Sequence, residues 1–190
     1  MYTSECISDK DYHNIIKNIR NGYVDIDGIT RRPNDQIADI LVLEANLGCR
    51  IGDIVSLTKD SFVCDRTIWK LNIVEEKTEK KRVFIIPPET MRFINEIIAK
   101  NYSDDERLFS VSTAAVWKAM RICTATLGLK NCSTHGLRKR AAQRLYDNSD
   151  GDIAAVATFL QHESIATTTR YLRRSSKHME DSISRIVDLA

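Results

Sequence analysis

The sequence predicts an α+β fold, mostly helical, carrying one small three-stranded antiparallel sheet. Two observations point to the helices and the sheet, and a third to their arrangement. Apolar residues recur at three- and four-residue spacing through most of the chain, as in Ile37, Ile40, Leu41 and Ala45. Residues 61–86 switch to β-branched and aromatic types at period two, with Trp69, Leu71 and Ile73 alternating with Lys70 and Asn72. That stretch lies between blocks of helix instead of alternating with them, which separates α+β from α/β.

Each element has a local reason. Ser8 with Asp11 forms a capping box before D-Y-H-N-I-I-K-N-I-R, a helix ending near Gly22. Pro33 and Asn34 open a second helix, and Gly48 is placed to stop it. Arg50 follows at once, leading the short helix R-I-G-D-I-V-S-L. The strands S-F-V-C, T-I-W-K-L-N-I-V and R-V-F-I-I are joined by Asp65-Arg66 and by E-E-K-T-E-K-K. Pro87 ends the sheet, and Pro88 suits the first turn of a helix running to about Lys100. Ser112 or Thr113 caps a helix carrying Val116, Met120, Cys123 and Leu127, closed by Gly128. Ser133 or Thr134 caps H-G-L-R-K-R-A-A-Q-R-L-Y; D-I-A-A-V-A-T-F-L forms the next helix, and Ser164 caps a short one containing Tyr171. A final helix is expected over about 176–189.

Composition narrows the function classes. A 43% apolar fraction supports a packed core, and 190 residues make one domain. The net charge is only +2, but its distribution is uneven. Lys77, Lys80, Lys81 and Arg82 form one basic group. Lys130, Arg138, Lys139, Arg140 and Arg144 form a second, and Arg170, Arg173, Arg174 and Lys177 a third. Segregated cations can present a positive face to a polyanion, although each cluster alone is equally a solvated surface. The five cysteines, Cys6, Cys49, Cys64, Cys123 and Cys132, make no C-x-x-C pair, which argues against a disulfide framework or a zinc site. No leader and no membrane-length apolar run are present, so a soluble, cytoplasmic, nucleoid-associated protein with no membrane partner is expected.

No Walker loop, G-x-G-x-x-G, H-E-x-x-H or G-x-S-x-G occurs. The acidic groups Asp104-Asp105-Glu106 and Asp150/Asp152 fall in loops or caps, so no metal site is expected. His135 and Arg138, three apart on a helix, share a face, a poor arrangement unless an anion lies between them. His162 emerges at a helix end, and Tyr171 follows after nine residues. A tyrosine hydroxyl acts as a nucleophile only with positive charge nearby and a way to lose its proton. Helical geometry points Arg170 away from that ring, so the activating cations should come from elsewhere. Arg50 has Asp53 three residues on, spaced for a salt bridge to its guanidinium, and Lys77 sits in a strand turn. Each of these has a plain structural reading as well: a helix terminus, a packed ring, an ion pair, a solvating lysine.

Together the motifs are specific. L-G-C-R-I-G-D-I-V-S-L, the lysine hairpin E-E-K-T-E-K-K-R-V-F-I-I-P, T-H-G-L-R-K-R-A-A and L-Q-H-E-S-I-A-T-T-T-R-Y resemble, in order and spacing, the catalytic domain of the tyrosine recombinases, the phage integrase family. The resemblance runs from about Ser8 to the end and implies a DNA breaking and rejoining enzyme working through a 3′-phosphotyrosyl intermediate, with no cofactor. It implies Tyr171 as nucleophile, Arg50 and Arg138 as phosphate clamps, and Lys77 as general acid. His135 would assist proton transfer, His162 would bond the phosphate, and Asp53 would support Arg50. Lys80, Lys81, Arg82, Lys139, Arg140, Arg173 and Arg174 are candidate DNA contacts. The implied partner is double-stranded DNA, with a tetramer assembling on it and a monomer away from it. The last helix either packs on its own domain or is exchanged between protomers. Gln161 departs from the glycine common in the family. The N-terminal core-binding domain usual in the family is expected to be absent from this chain. A non-catalytic DNA-binding module of the same fold and a type IB topoisomerase-like relaxing enzyme are the alternatives.

Overall fold

A computed structural model of the protein describes residues 4–172, and of Arg170 and Tyr171 it describes the backbone alone. The helix expected over 176–189 lies outside the described residues. Helix α1 (Asp9–Asn21) begins where the Ser8 hydroxyl accepts from the Asp11 N–H at 3.1 Å, and it buries Tyr12, Ile15 and Ile19 along one stripe. A hairpin that the sequence reading missed follows: β1 (Tyr23–Val24) paired antiparallel with β2 (Thr30–Arg31). Strands of two residues leave no periodicity to read.

Helix α2 (Asp35–Leu47) is capped by Asn34 and is buried on most of its surface. It packs against α1 and, most extensively, against α6 (Thr134–Asn148). Its Asp39 is a charge at full burial, satisfied by Arg20 at 2.6 Å, Lys100 at 2.6 Å and the Tyr102 hydroxyl at 2.8 Å. Gly48 ends α2 in the left-handed region at φ 59, and a Cβ there would run into the Phe159 ring. Helix α3 (Ile51–Val55) then starts without a linker.

Strands β3 (Phe62–Asp65), β4 (Ile68–Val74) and β5 (Lys81–Ile85) form the expected antiparallel sheet in the order β3-β4-β5. The register sets Leu71 opposite Phe84 and Ile73 opposite Arg82, so these four share the inward face. Val83 and Ile85 consequently point outward, 50% and 62% exposed, while Arg82 points in at 1%. Helix α4 (Pro88–Lys100) and helix α5 (Thr113–Thr126), capped by Ser112, complete the main core. Helix α7 (Ile153–Leu160), capped by Asp152, and helix α8 (Ile165–Tyr171), capped by Ser164, enclose a smaller cluster of Ala142, Val156, Leu160 and Leu172. None of the five cysteines is in a disulfide. Among the described residues no helix is long and apolar enough to cross a membrane.

Candidate active site

The site is built where three helix ends meet the hairpin between β4 and β5. Arg50 stands at the N-terminus of α3 because the left-handed turn at Gly48 reverses the chain there. Its guanidinium pairs with Glu75, which is fully buried and also accepts from Arg82 at 3.0 Å and from the Thr78 hydroxyl at 2.9 Å. Burial alone would raise the Glu75 carboxyl, but hydrogen bonds from Thr78, Arg82 and Arg50 outweigh it and hold it below its ordinary value.

Asp53 differs from expectation. It makes no ion pair with the Arg50 guanidinium; its two oxygens accept the backbone N–H of Arg50 at 3.3 Å and of Glu76 at 2.9 Å. It therefore ties the start of α3 to the hairpin turn, and Glu75 takes the role of holding the arginine head. Spacing of three residues suggested a side-chain pair, but at a helix N-terminus a carboxylate finds unsatisfied backbone donors first.

Two buried arginines close the carbonyl ends of the neighbouring helices. Arg82 donates to the Leu47 carbonyl at 3.0 Å. Arg138 donates to the Gly48 carbonyl at 2.6 Å and to the Leu160 carbonyl at 2.7 Å, so α6 grips the ends of α2 and α7 together. His162 follows the left-handed Gln161, φ 52, and its Nδ1 is hydrogen-bonded to the buried Thr168 hydroxyl of α8 at 3.0 Å.

Arg50, Lys77 and His135 line one cavity of about 540 Å³, with Glu44 in its wall and Trp117 at its rim. Burial and then the charges of Lys139, Arg138, Arg50 and His162 push the His135 imidazole down to about 4. Burial, Arg138 and Arg50 likewise push His162 down to about 4, against a small opposite pull from Glu75. Both rings are thus neutral near neutral pH and sit in the field of the same two arginines. Glu44 is buried with Oε2 unpartnered, and burial pushes its carboxyl well above the ordinary range, opposed by Arg138.

The structure thus brings Arg50, Lys77, His135, Arg138 and His162 into one region. Tyr171 ends α8, the helix whose Thr168 holds His162, but its side chain lies outside the described residues. Arg173 and Arg174 lie outside them as well. Two expected DNA contacts are corrected. Arg82 is buried between Glu75 and the Phe84 and Phe159 rings. Arg140 is buried over the Tyr12 ring at 4.1 Å and pairs with Asp9 at 2.6 Å. Both side chains are buried, and both heads are taken up by carboxylates of the chain itself. Lys139 bonds the Ser4 carbonyl at 2.7 Å, Lys80 pairs with Glu163 at 2.6 Å, and Lys81 is exposed. Sequence reasoning missed Glu75, Thr168 and Glu44. Glu75 left a signal: it continues the inward register of Trp69, Leu71 and Ile73, where a carboxylate demands a cation.

Comparisons with known proteins give the family and the fold. The model of a family described as the phage integrase family matches residues 7–178. A probable integrase/recombinase of Bacillus subtilis (strain 168), YoeC, is 29% identical over 140 residues, covering 70% of this chain and 75% of its own. The tyrosine recombinase XerA of Pyrococcus furiosus is 24% identical over 164 residues, 80% of this chain and 56% of its own, so the chain spans about half of that relative's length. Among solved structures, the catalytic domain of bacteriophage HP1 integrase superposes with a TM-score of 0.63 at 20% identity, covering 95% of this chain and 94% of that one. A XerH recombinase bound to its palindromic difH substrate, in a post-cleavage complex, superposes with a TM-score of 0.70 at 18% identity over 94% of this chain and 52% of that one. These likenesses establish the fold.

Proposed function

The chain belongs to the phage integrase family, and from that premise we propose that residues 1–190 form a catalytic domain that cuts and rejoins double-stranded DNA through a tyrosine-linked intermediate. The Tyr171 oxygen attacks a phosphodiester, the phosphorus–O5′ bond breaks, and the 3′ phosphate stays on the tyrosine. Lys77 gives its proton to the departing O5′, while His135 handles the proton lost by the phenol. Arg50 and Arg138 hold the non-bridging oxygens, where charge grows in the transition state. His162 donates to the same phosphate. Rejoining is the reverse attack by a 5′ hydroxyl, so the bond energy is kept and neither metal nor nucleotide is required. Four copies assemble on DNA, as the family resemblance implies.

One observation carries the reading. Five groups converge: Arg50, Arg138 and Lys77 are basic side chains, and burial, together with the two arginines, keeps the His135 and His162 imidazoles neutral. Such a cluster is complementary to an anion with two or more oxygens. The related XerH structure, which holds a cleaved difH substrate, supports DNA as that anion. A nicked suicide substrate tests the chemistry: the wild-type chain should form a covalent adduct without added metal, and Tyr171→Phe should form none while still binding DNA. Arg50→Ala should slow adduct formation roughly 10²–10³-fold. An adduct surviving in Tyr171→Phe overturns the assignment.

A further inference from the structure

We propose that Gln161 is a positioning residue that fastens the lysine-bearing hairpin to the segment carrying His162, with Glu163 a minor second contact, so that Lys77 and His162 address one phosphate together. This rests on the reaction proposed above. The end of α7 meets β5 along a continuous seam. Phe159 packs edge-on against Phe84 at 5.8 Å, and the Arg82 guanidinium lies over both rings. Beside it the Gln161 Nε2 donates to the Lys81 carbonyl at 2.8 Å. Beyond that, Glu163 pairs with Lys80 at 2.6 Å. His162 lies between the two clasping residues in sequence, and Lys80 and Lys81 directly follow the turn that holds Lys77.

The other side of the hairpin is anchored to Arg50 through Glu75 and Arg82. Without the Gln161 contact, the Phe159 seam would still hold β5 to the end of α7, but the stretch next to the turn would keep only the exposed Glu163–Lys80 pair as its link to the segment carrying His162. Gln161 occupies a left-handed position, φ 52, where glycine is at ease and an L side chain is strained. The amide contact gives a physical reason for a glutamine there. The two contacts are unequal. The Glu163–Lys80 pair is exposed and screened by water and salt, so it contributes little alone. The Gln161 amide bonds a strand carbonyl through a neutral donor that salt does not screen, so it carries the link.

The test uses Gln161→Gly, which keeps the left-handed backbone and removes the amide, and Gln161→Met, which keeps the bulk. Each is assayed on two suicide substrates, one with oxygen and one with sulfur at the 5′ bridging position. When the phosphorus–O5′ bond breaks, the oxygen needs a proton from Lys77; sulfur leaves as a thiolate and needs none. The expected result is about tenfold slower cleavage of the oxygen substrate, wild-type rate on the sulfur substrate, and unchanged DNA affinity. Glu163→Gln should change the oxygen rate by no more than about twofold. In the DNA-free protein, amide exchange at Glu75 and Glu79, whose N–H groups close the hairpin turn, should quicken in both Gln161 variants. Equal slowing on both substrates, or no slowing, overturns the clasp. A wild-type chain that forms no adduct at all overturns the proposed reaction instead, and the clasp then stands or falls on the exchange rates alone.

Discussion

Asp39 and Glu75 are the same device in two places. Each is a fully buried carboxylate holding two cationic side chains and one hydroxyl: Arg20, Lys100 and Tyr102 around Asp39, and Arg50, Arg82 and Thr78 around Glu75. Around Asp39 the cations join α1 and the end of α4 to α2, and neither Arg20 nor Lys100 lines the cavity of Lys77 and His135. Around Glu75, Arg82 is buried while Arg50 also lines the cavity shared with Lys77 and His135. A buried ion cluster is therefore no sign of function. It becomes part of a site when one cation keeps a face turned toward other cations across open space.

Removing the charge from each hub should separate the two roles. Glu75→Gln leaves Arg82 buried without its partner and releases the Arg50 head. We expect a loss of about 2–3 kcal/mol in denaturant unfolding together with roughly 100-fold slower adduct formation on a suicide substrate. Asp39→Asn should lose a similar ~2–3 kcal/mol, with the cleavage rate of the folded protein unchanged. Comparable slowing in Asp39→Asn would erase the distinction between the hubs.

Smaller effects sharpen it further. Glu44 has no cation bonded to it, and its raised pKa means the folded state prefers it protonated. Its contribution is complete below the unfolded carboxylate pKa and is lost as pH rises through the folded value. Glu44→Gln should therefore raise the melting temperature at pH 8 by a few degrees, corresponding to ~1 kcal/mol, and change little in acid. The histidines have the opposite sign. His135 and His162, both pushed down to about 4, stabilise the fold above the unfolded value of ~6.5, and that contribution is lost as pH falls toward 4. Their ring resonances followed by NMR should titrate near 4 in the free protein and move upward when DNA binds, so DNA binding tightens on mild acidification. Unshifted titration would mean that the cations are not gathered around them.

Much of the fold was legible because its signals are local. The Ser8, Asn34 and Ser112 caps, the Gly48 stop and the period-two run around Leu71 each depend on a few neighbouring residues. The site was legible in its cations and less so in what holds them. Arg82 was read as surface because R-V-F-I-I offers two alternations, and the apolar Val83 and Ile85 suggest the wrong one. The carboxylate of Glu75 decides it, together with the Phe159 ring from a distant helix. Arg140 was misplaced for a similar reason, since its partner Asp9 comes from the other end of the chain. The clasp at Gln161 ends on a backbone carbonyl, a partner with no residue type for a sequence pattern to display.

Gly48 has a consequence for how copies of this chain would drift. Its left-handed backbone and the Phe159 ring pressed against it serve the shape of the molecule, whatever reaction is performed there. Lys77 stands exposed on a turn and serves only the chemistry proposed for it. A descendant released from cutting DNA would lose Lys77 early and keep Gly48 long after. The order in which these two positions decay would date the loss of activity against the loss of the fold.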